Sequence, residues 1–332
     1  MGNYESKASG PLLSTSDSRA TLQDIYDPIL RDSQNNAATF YNILRQDPNV
    51  GDYARWVIRS ARNSSIGSGS EYPDVSSGRQ ERVKVGTPIK KNYGFVEVSD
   101  FEIRSYESAG IFPESIFTQE VQMAAMDILA ATTNSVTGKS GVDYQLFRDG
   151  TGNSGYDMLG LSAWVDDGTN NGAVATIAGV TRAATKAYMN AGLINTTTAS
   201  ISDSVLRTME ASAITNGSRL DQLIWVTTPA LKNSILNLET PAQRYVTTEA
   251  KFGFRHMTDL PSYDDIPIYV DRHAESGKVY LLDMSTMAIR QLQPLHYEDM
   301  AKTAASRKGK LAIYAEMICY NPNKNYVATN KS

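Results

Sequence analysis

The apolar residues of this 332-residue chain change period several times, and each change marks an expected element. After Ser16, the residues Leu22, Ile25, Tyr26, Ile29 and Leu30 recur at three and four, which predicts a short amphipathic helix interrupted at Pro28. A weaker apolar group follows at Phe40, Tyr41, Ile43 and Leu44, and both groups are too short for a core of their own. Period two takes over at Tyr53–Arg59, with Trp56 and Ile58 on one face and Arg55, Val57 and Arg59 on the other. It resumes at Glu81–Val85 and at Tyr93–Ile103, after a stretch rich in Ser, Gly and Arg at 60–80. Two strands joined by about 20 loop residues read as a long β-hairpin arm, because so long a loop is uncommon inside a compact domain. A hairpin alone in water is marginal, so this one is expected to rest on a partner surface.

Beyond the arm, Pro113 and Glu114 suit a first helical turn. Ile116, Phe117, Val121, Ala124, Ala125, Ile128, Leu129 and Thr132 then keep helical spacing, predicting one helix of about 20 residues, roughly 30 Å long. A turn-rich stretch at 146–165 leads into alternating patterns. Helices are expected at Thr181–Ile194, Ile201–Ile214 and Pro229–Leu238, and strands at Leu223–Thr228, Pro267–Val270, Lys278–Asp283 and Met287–Leu292. A last strand, Lys310–Tyr320, puts Leu311, Ile313, Ala315, Met317 and Cys319 on one face and Tyr314, Glu316 and Tyr320 on the other, and is expected to return beside the long helix. The fold class is therefore α+β, with an α/β unit following the long helix.

Composition narrows the function classes. With 41% hydrophobic and 20% charged residues and a net charge of −4, the chain is an ordinary globular one without a global basic field. A single cysteine, Cys319, excludes an intrachain disulfide and a Cys-based zinc site, and His256, His273 and His296 lack helical metal spacing. No apolar run is long enough for a membrane helix, and the polar start is not a secretory signal. Met1-Gly2 with Ser6 fits the loose myristoylation pattern, which is too short to carry an assignment. Locally the charge is uneven: residues 55–91 carry net +5, residues 106–172 net −7 and residues 294–332 net +3.

Enzymatic motifs are present only in fragments. Gly150, Gly152 and Gly155 spell the dinucleotide-loop pattern, but no apolar helix follows, so a turn is expected. Gly138-Lys139-Ser140 has Thr133 where a phosphate loop needs glycine. Asp166-Asp167 and Asp264-Asp265 read as solvated turns. His256 and His273 flank Asp259, Asp264 and Asp265, the basis of an alternative reading as an α/β hydrolase-like enzyme, yet no serine or cysteine sits in a nucleophile elbow.

The order of these elements resembles the major capsid proteins of tailed bacteriophages (Caudoviricetes), whose shell fold is shared with the floor of herpesvirus capsids and with encapsulins. LFRDGTGNSGYDMLGL (146–161), DQLIWVTTPALKNSIL (221–236) and DDIPIYVDRH through KVYLLDMSTMAIRQLQP (264–294) carry the likeness, which spans roughly residues 20–322. The family's G-x-P-I element lacks its glycine here, standing as Asp265-Ile266-Pro267-Ile268. The resemblance implies an N-terminal arm at 1–50, an extended loop at 51–105 and a peripheral domain with spine helix at 106–172. An axial domain would then occupy 173–293, and a return strand with C-terminal tail 294–332. It further implies a non-enzymatic protein without cofactor or metal that assembles as hexamers and pentamers into an icosahedral head around double-stranded DNA, held by weak non-specific contact. Expected partners are a separate scaffolding protein, a portal and a decoration protein, with assembly in the host cytoplasm and residence in the virion. An encapsulin-type compartment is the nearest alternative. In this family the loop lies over a neighbouring subunit, so the implied interface residues are Arg55, Trp56, Arg59, Arg62, Arg79, Arg82, Lys84, Ile89, Lys90 and Lys91. Glu107, Glu114, Glu120 and Asp127 of the spine region would face them. Lysine–asparagine crosslinks, known in this fold, would draw on Lys84, Lys90 or Lys91 with Asn321, Asn323 or Asn325.

Overall fold

The structure, a computed structural model, describes residues 39–63, 65–68, 78–109, 116–131, 140–238, 261–301 and 305–332. The expected helix after Ser16 lies outside them. The second apolar group forms α1 (Thr39–Ile43), with Phe40, Tyr41 and Leu44 buried in the larger of two cores. Next come β1 (Arg45–Pro48), β2 (Tyr53–Ala61), β3 (Glu81–Pro88) and β4 (Lys90–Ser99). β2 and β3 pair antiparallel as the predicted hairpin. β4 does not belong to it: Lys90–Ser99 pair along β13 (Ser306–Cys319), which in turn pairs with β12 (Met287–Asp299), and β12 with β1. The result is a four-stranded sheet ordered β1-β12-β13-β4.

Strand pattern was expected to continue to Ile103, but the chain turns helical at α2 (Asp100–Ala109). Ser99-Asp100-Phe101-Glu102 is a capping-box sequence, and Glu102 N–H donates to Ser99 Oγ at 3.1 Å. The spine helix, α3 (Ile116–Ala130), has 15 residues rather than about 20. The outer ends of the expected span, Pro113 and Thr132, lie outside the described residues. α3 buries Ile116, Phe117, Ile128 and Ala130 across β4 and β13. Gly94 lets it approach closely, since a Cβ there would stand 3.2 Å from Ile128 Cδ1.

β13 is buried on both faces, so Glu316, expected opposite the apolar row, is enclosed rather than solvated. β12 runs seven residues past its expected end at Leu292, with register shifts at Gln291/Gln293 and Gln293/His296 that accommodate Pro294.

The second unit is a six-stranded sheet ordered β7-β14-β11-β8-β10-β9. Its strands are β7 (Leu193–Asn195), β8 (Leu223–Thr227), β9 (Ser262–Tyr263), β10 (Ile266–Val270), β11 (Val279–Asp283) and β14 (Tyr326–Ala328). Two helices, α4 (Asp203–Thr215) and α5 (Pro229–Leu238), match expectation and bury Leu206, Met209, Leu231 and Ile235 against Trp225, Leu281 and Tyr326. β14 corrects the implied boundaries: residues assigned to a C-terminal tail form an interior strand of this sheet, between β7 and β11.

The helix expected at Thr181–Ile194 is absent. A small hairpin of β5 (Thr176–Ile177) and β6 (Val180–Thr181) turns at Ala178 and Gly179, both with positive φ, and a 3₁₀ segment at Ala184–Met189 follows. Arg182 explains the difference. Its side chain is buried, and all five of its N–H groups bond loop acceptors. Nε reaches Met189 O at 2.9 Å, and Nη1 reaches Val174 O at 3.0 Å and Asp166 Oδ2 at 3.3 Å. Nη2 reaches Ala163 O at 2.7 Å and Trp164 O at 3.2 Å. Asp166 is therefore a buried ion-pair partner, not a solvated turn residue. Asp167 does cap a turn, accepting from Thr169 N–H and Asn170 N–H. Asp264 and Asp265 form the two-residue turn between β9 and β10, with φ of 50° and 62°.

Candidate functional site

The hairpin has two unlike faces, set by its register. Ala54, Trp56 and Ile58 stand opposite Thr87, Val85 and Val83 on one side; Arg55, Val57 and Arg59 stand opposite Gly86, Lys84 and Arg82 on the other. The first face is seated on the chain's own body. Trp56 lies 5.9 Å from the Trp164 ring and, edge-on, 6.0 Å from Tyr320. Gly86 N–H donates to Ala178 O at 3.2 Å, and Ile89 N–H closes the hairpin base on Asp52 O at 2.8 Å. Ala54, Ile58, Val85 and Thr87 are buried there. Full burial of a side chain such as Ile58 or Val85 is worth about 1.5–3 kcal/mol, enough to fix the base of the arm.

Trp56 and Ile89, expected to supply apolar area to a neighbouring subunit, are partly buried against the chain's own core, Trp56 because strand alternation turns it inward. Lys90 and Lys91 are likewise not on the arm. They begin β4, where Lys90 Nζ donates to Gly155 O at 2.5 Å and Lys91 Nζ sits over the Tyr93 and Tyr314 rings at 5.3 and 5.7 Å. The other cations stay outward. Arg55, Arg59, Arg62, Arg79, Arg82 and Lys84 are exposed and make no ion pair among the described residues, though Arg55 lies over the Tyr53 ring at 5.2 Å. Arg59 and Arg82 are direct cross-strand partners, an arrangement that like charges disfavour. Val57, 56% exposed, sits among them.

The expected acidic counterpart is thinner than the sequence count suggests. Glu120 and Asp127 are exposed on α3, whereas Glu114 and the side chain of Glu107 lie outside the described residues. Of the remaining acids in 106–172, Asp143, Asp157 and Asp166 are buried and act within the chain. Burial pushes the Asp157 carboxyl above its ordinary range, with Ser140 Oγ donating to it. Burial first, and then the neighbouring Asp271 carboxylate, push Asp143 up to about 8.

The enzymatic fragments lie partly among the described residues. Gly150 and Gly155 have φ of 80° and 82° in a tight turn with Asn153 and Ser154, also at positive φ. His256, Asp259, Gly138 and Lys139 lie outside the described residues. His273 is buried, with Nε2 accepting from Arg272 Nε at 2.6 Å, and burial holds its basicity down. Among the described residues, Asp143, Asp271 and His273 form the one group whose ligating atoms lie within 4.8 Å of one another. No described helix is long and apolar enough to cross a membrane.

Two long strands braced by a spine helix, a hairpin arm rising from their edge and a separate six-stranded unit define the shell-subunit architecture of tailed-phage capsids. A chain of the cyanophage A-1(L) capsid shares it, with 14% identity, a TM-score of 0.69 and coverage of 96% of this chain and 98% of that one. So do a capsid chain of the empty GTA particle (10% identity, TM-score 0.61, 98% and 100% coverage) and the holo-SrpI encapsulin complex of Synechococcus elongatus (12%, 0.56, 97% and 96%). At such identities the likeness is one of fold. Among proteins of curated function none matches the sequence. The family model of the SU10 major capsid protein matches residues 14–331, and the chain belongs to that family. It is a capsid shell-forming protein, and membership in a capsid family gives it a structural role.

Proposed function

We propose that this chain assembles as hexamers and pentamers into an icosahedral phage head around double-stranded DNA, and that the outer face of its hairpin is what each subunit offers the next. The carrying observation is the row Arg55, Arg59, Arg82 and Lys84 with Val57: exposed, and without a carboxylate partner among the described residues of its own chain. An acidic neighbour would relieve the repulsion between Arg59 and Arg82. Glu120 and Asp127, with Glu107 and Glu114, are the proposed counterpart. Each exposed pair contributes only about 0.2–1 kcal/mol, so the contact gains its strength by repetition around the shell. In this reading α1 and β1, at the end of the implied N-terminal arm 1–50, belong to the peripheral unit, and the extended loop narrows from 51–105 to 53–88. The peripheral unit takes 89–172 with 287–319, and the axial unit 173–286 with 326–328. Scaffolding, portal and decoration proteins and loosely held DNA are its proposed partners, and assembly occurs in the host cytoplasm.

Reversing Arg79, Arg82 and Lys84 to Glu tests the arm. Circular dichroism and thermal melting should match the parent while particles vanish from negative-stain images; particles of normal yield and size would remove the arm's electrostatic role. The encapsulin-like match makes cargo the point of discrimination: nuclease-resistant DNA inside purified particles supports the head, and an enclosed protein without DNA supports a compartment.

A further inference from the structure

Two amides at the start of α1 end on two carboxyl groups. Phe40 N–H donates to Asp271 Oδ2 at 3.1 Å and Tyr41 N–H to Asp143 Oδ1 at 2.7 Å. Asp143 comes from a helical turn just after the spine helix, and Asp271 from the end of β10 in the other unit. Both are buried, and an oxygen of each lies within 4.8 Å of the other. Asp143 Oδ2 is buried without a hydrogen-bond partner, and a proton held between the two carboxyls would satisfy it.

A metal ion would also answer two buried carboxylates, but the surroundings oppose one. Arg272 Nε–H donates to His273 Nε2, which leaves the neutral ring with its proton on Nδ1, a donor rather than a ligand. Arg272 also reaches back to Ala130 O at the end of α3. Arg148, stacked 4.4 Å over Tyr144 and paired with Glu275 at 3.5 Å, adds a second guanidinium near His273. Tyr144 itself lies edge-on to His273 at 6.0 Å, and on the α1 side the Tyr41 hydroxyl accepts from Gln291 Nε2 at 2.9 Å. Nearby positive charge is already supplied; a proton is what the pair lacks.

We propose that Asp143 and Asp271 form a one-proton clamp that fixes the N-terminal segment at Phe40–Tyr41 and loosens when the proton leaves. Two adjacent buried carboxylates repel and draw in water. Of the elements around them α1 yields first. It is five residues long, whereas Asp143 is tied through its turn to the spine helix and Asp271 to a paired sheet strand. The sign follows from a raised carboxyl: its contribution is complete at acid pH and declines as pH rises through the neutral range.

The test is hydrogen exchange at the Phe40 and Tyr41 amides of the full chain at about pH 6 and about pH 9, each rate divided by its intrinsic value. Protection should fall by about tenfold or more in the native chain, the steepness that one released proton allows. In Asp143→Asn it should stay flat, because the amide keeps an acceptor for Tyr41 N–H and a donor for Asp271 at every pH. An unchanged slope in that variant overturns the clamp. So does a stoichiometric zinc or manganese ion whose chelation, rather than pH, changes protection. Should Asp143→Asn fail to fold, the infrared carbonyl band of the protonated carboxyl in the native chain must titrate together with the loss of protection; separate midpoints overturn it equally.

Discussion

Replacing Arg182 by Met removes a cation whose loss the loop around it has no means to absorb. Five donors disappear together, leaving the carbonyls of Ala163, Trp164, Val174 and Met189 and the Asp166 carboxylate to find new partners. Both charged side chains are at most 1% exposed, so water does not reach them without opening the loop. Each abandoned buried acceptor costs about 1–3 kcal/mol if nothing replaces its bond. Summed over five acceptors, that would reach about 5–15 kcal/mol, as much as the whole net stability typical of a domain. The loop therefore gives way before the full amount is reached, and the expected loss is about 3–5 kcal/mol, as for a broken buried ion pair. Asp166 moderates the cost, because it keeps Asn171 N–H at 3.0 Å and Val174 N–H at 2.8 Å. Arg182→Lys should fall between the two, since three donors on one nitrogen cannot span acceptors placed for a planar fork. Urea unfolding of the unassembled chain at neutral pH, followed by tryptophan fluorescence, measures the difference directly. Trp164, whose carbonyl Arg182 holds, also seats Trp56, so the fluorescence of the folded baseline should shift too. A loss below about 1 kcal/mol for Arg182→Met would refute the reasoning, as it would mean the loop re-pairs its carbonyls without the guanidinium.

Trp56→Ala should cost about 3 kcal/mol, the lower end for a large aromatic because this one is only partly buried, and should loosen the arm at its base. Limited proteolysis within 60–80 then speeds up; unchanged cleavage would show that Trp56 does not anchor the hairpin. Glu316, enclosed and accepting from Leu159 N–H at 2.8 Å, is held well above the ordinary carboxylate range by burial. Its contribution is complete at acid pH and is lost as pH rises. Glu316→Gln should therefore melt progressively higher than the parent as pH rises above the ordinary carboxylate range, and parallel melting curves would count against it. Cys319 is fully buried and its thiol is pushed up to about 12, so maleimide should label it only after unfolding.

Elements with one periodic face were legible in the sequence because one partner surface decides them. α5 and the β2–β3 hairpin fall where helical spacing or alternation places them. The departures share a physical cause. At Ser99–Glu102 four residues of cap chemistry outweigh an alternating pattern that formally continues. At 181–194 the apolar spacing is helical, but the need of one buried guanidinium for loop carbonyls decides the backbone. Alternation put Glu316 opposite the apolar row, but it reports two faces, not what covers each. The same holds for the site. Hairpin cations were readable as an exposed row, whereas the acid count of 106–172 was not readable as surface charge, since Asp143, Asp157 and Asp166 had gone inside. Nothing in local spacing links Phe40 to Asp271, 231 positions away.

β14 has a consequence for how the subunit is made and handled. The chain leaves the six-stranded sheet, crosses the other unit twice as β12 and β13, and only then returns to insert three residues between β7 and β11. The two halves are stitched together like a barrel missing its last stave. A fragment ending at 293 would expose the unpaired edge of β11, an invitation to aggregation rather than a smaller working piece. Cooperative unfolding of both halves in a single transition is the expected signature.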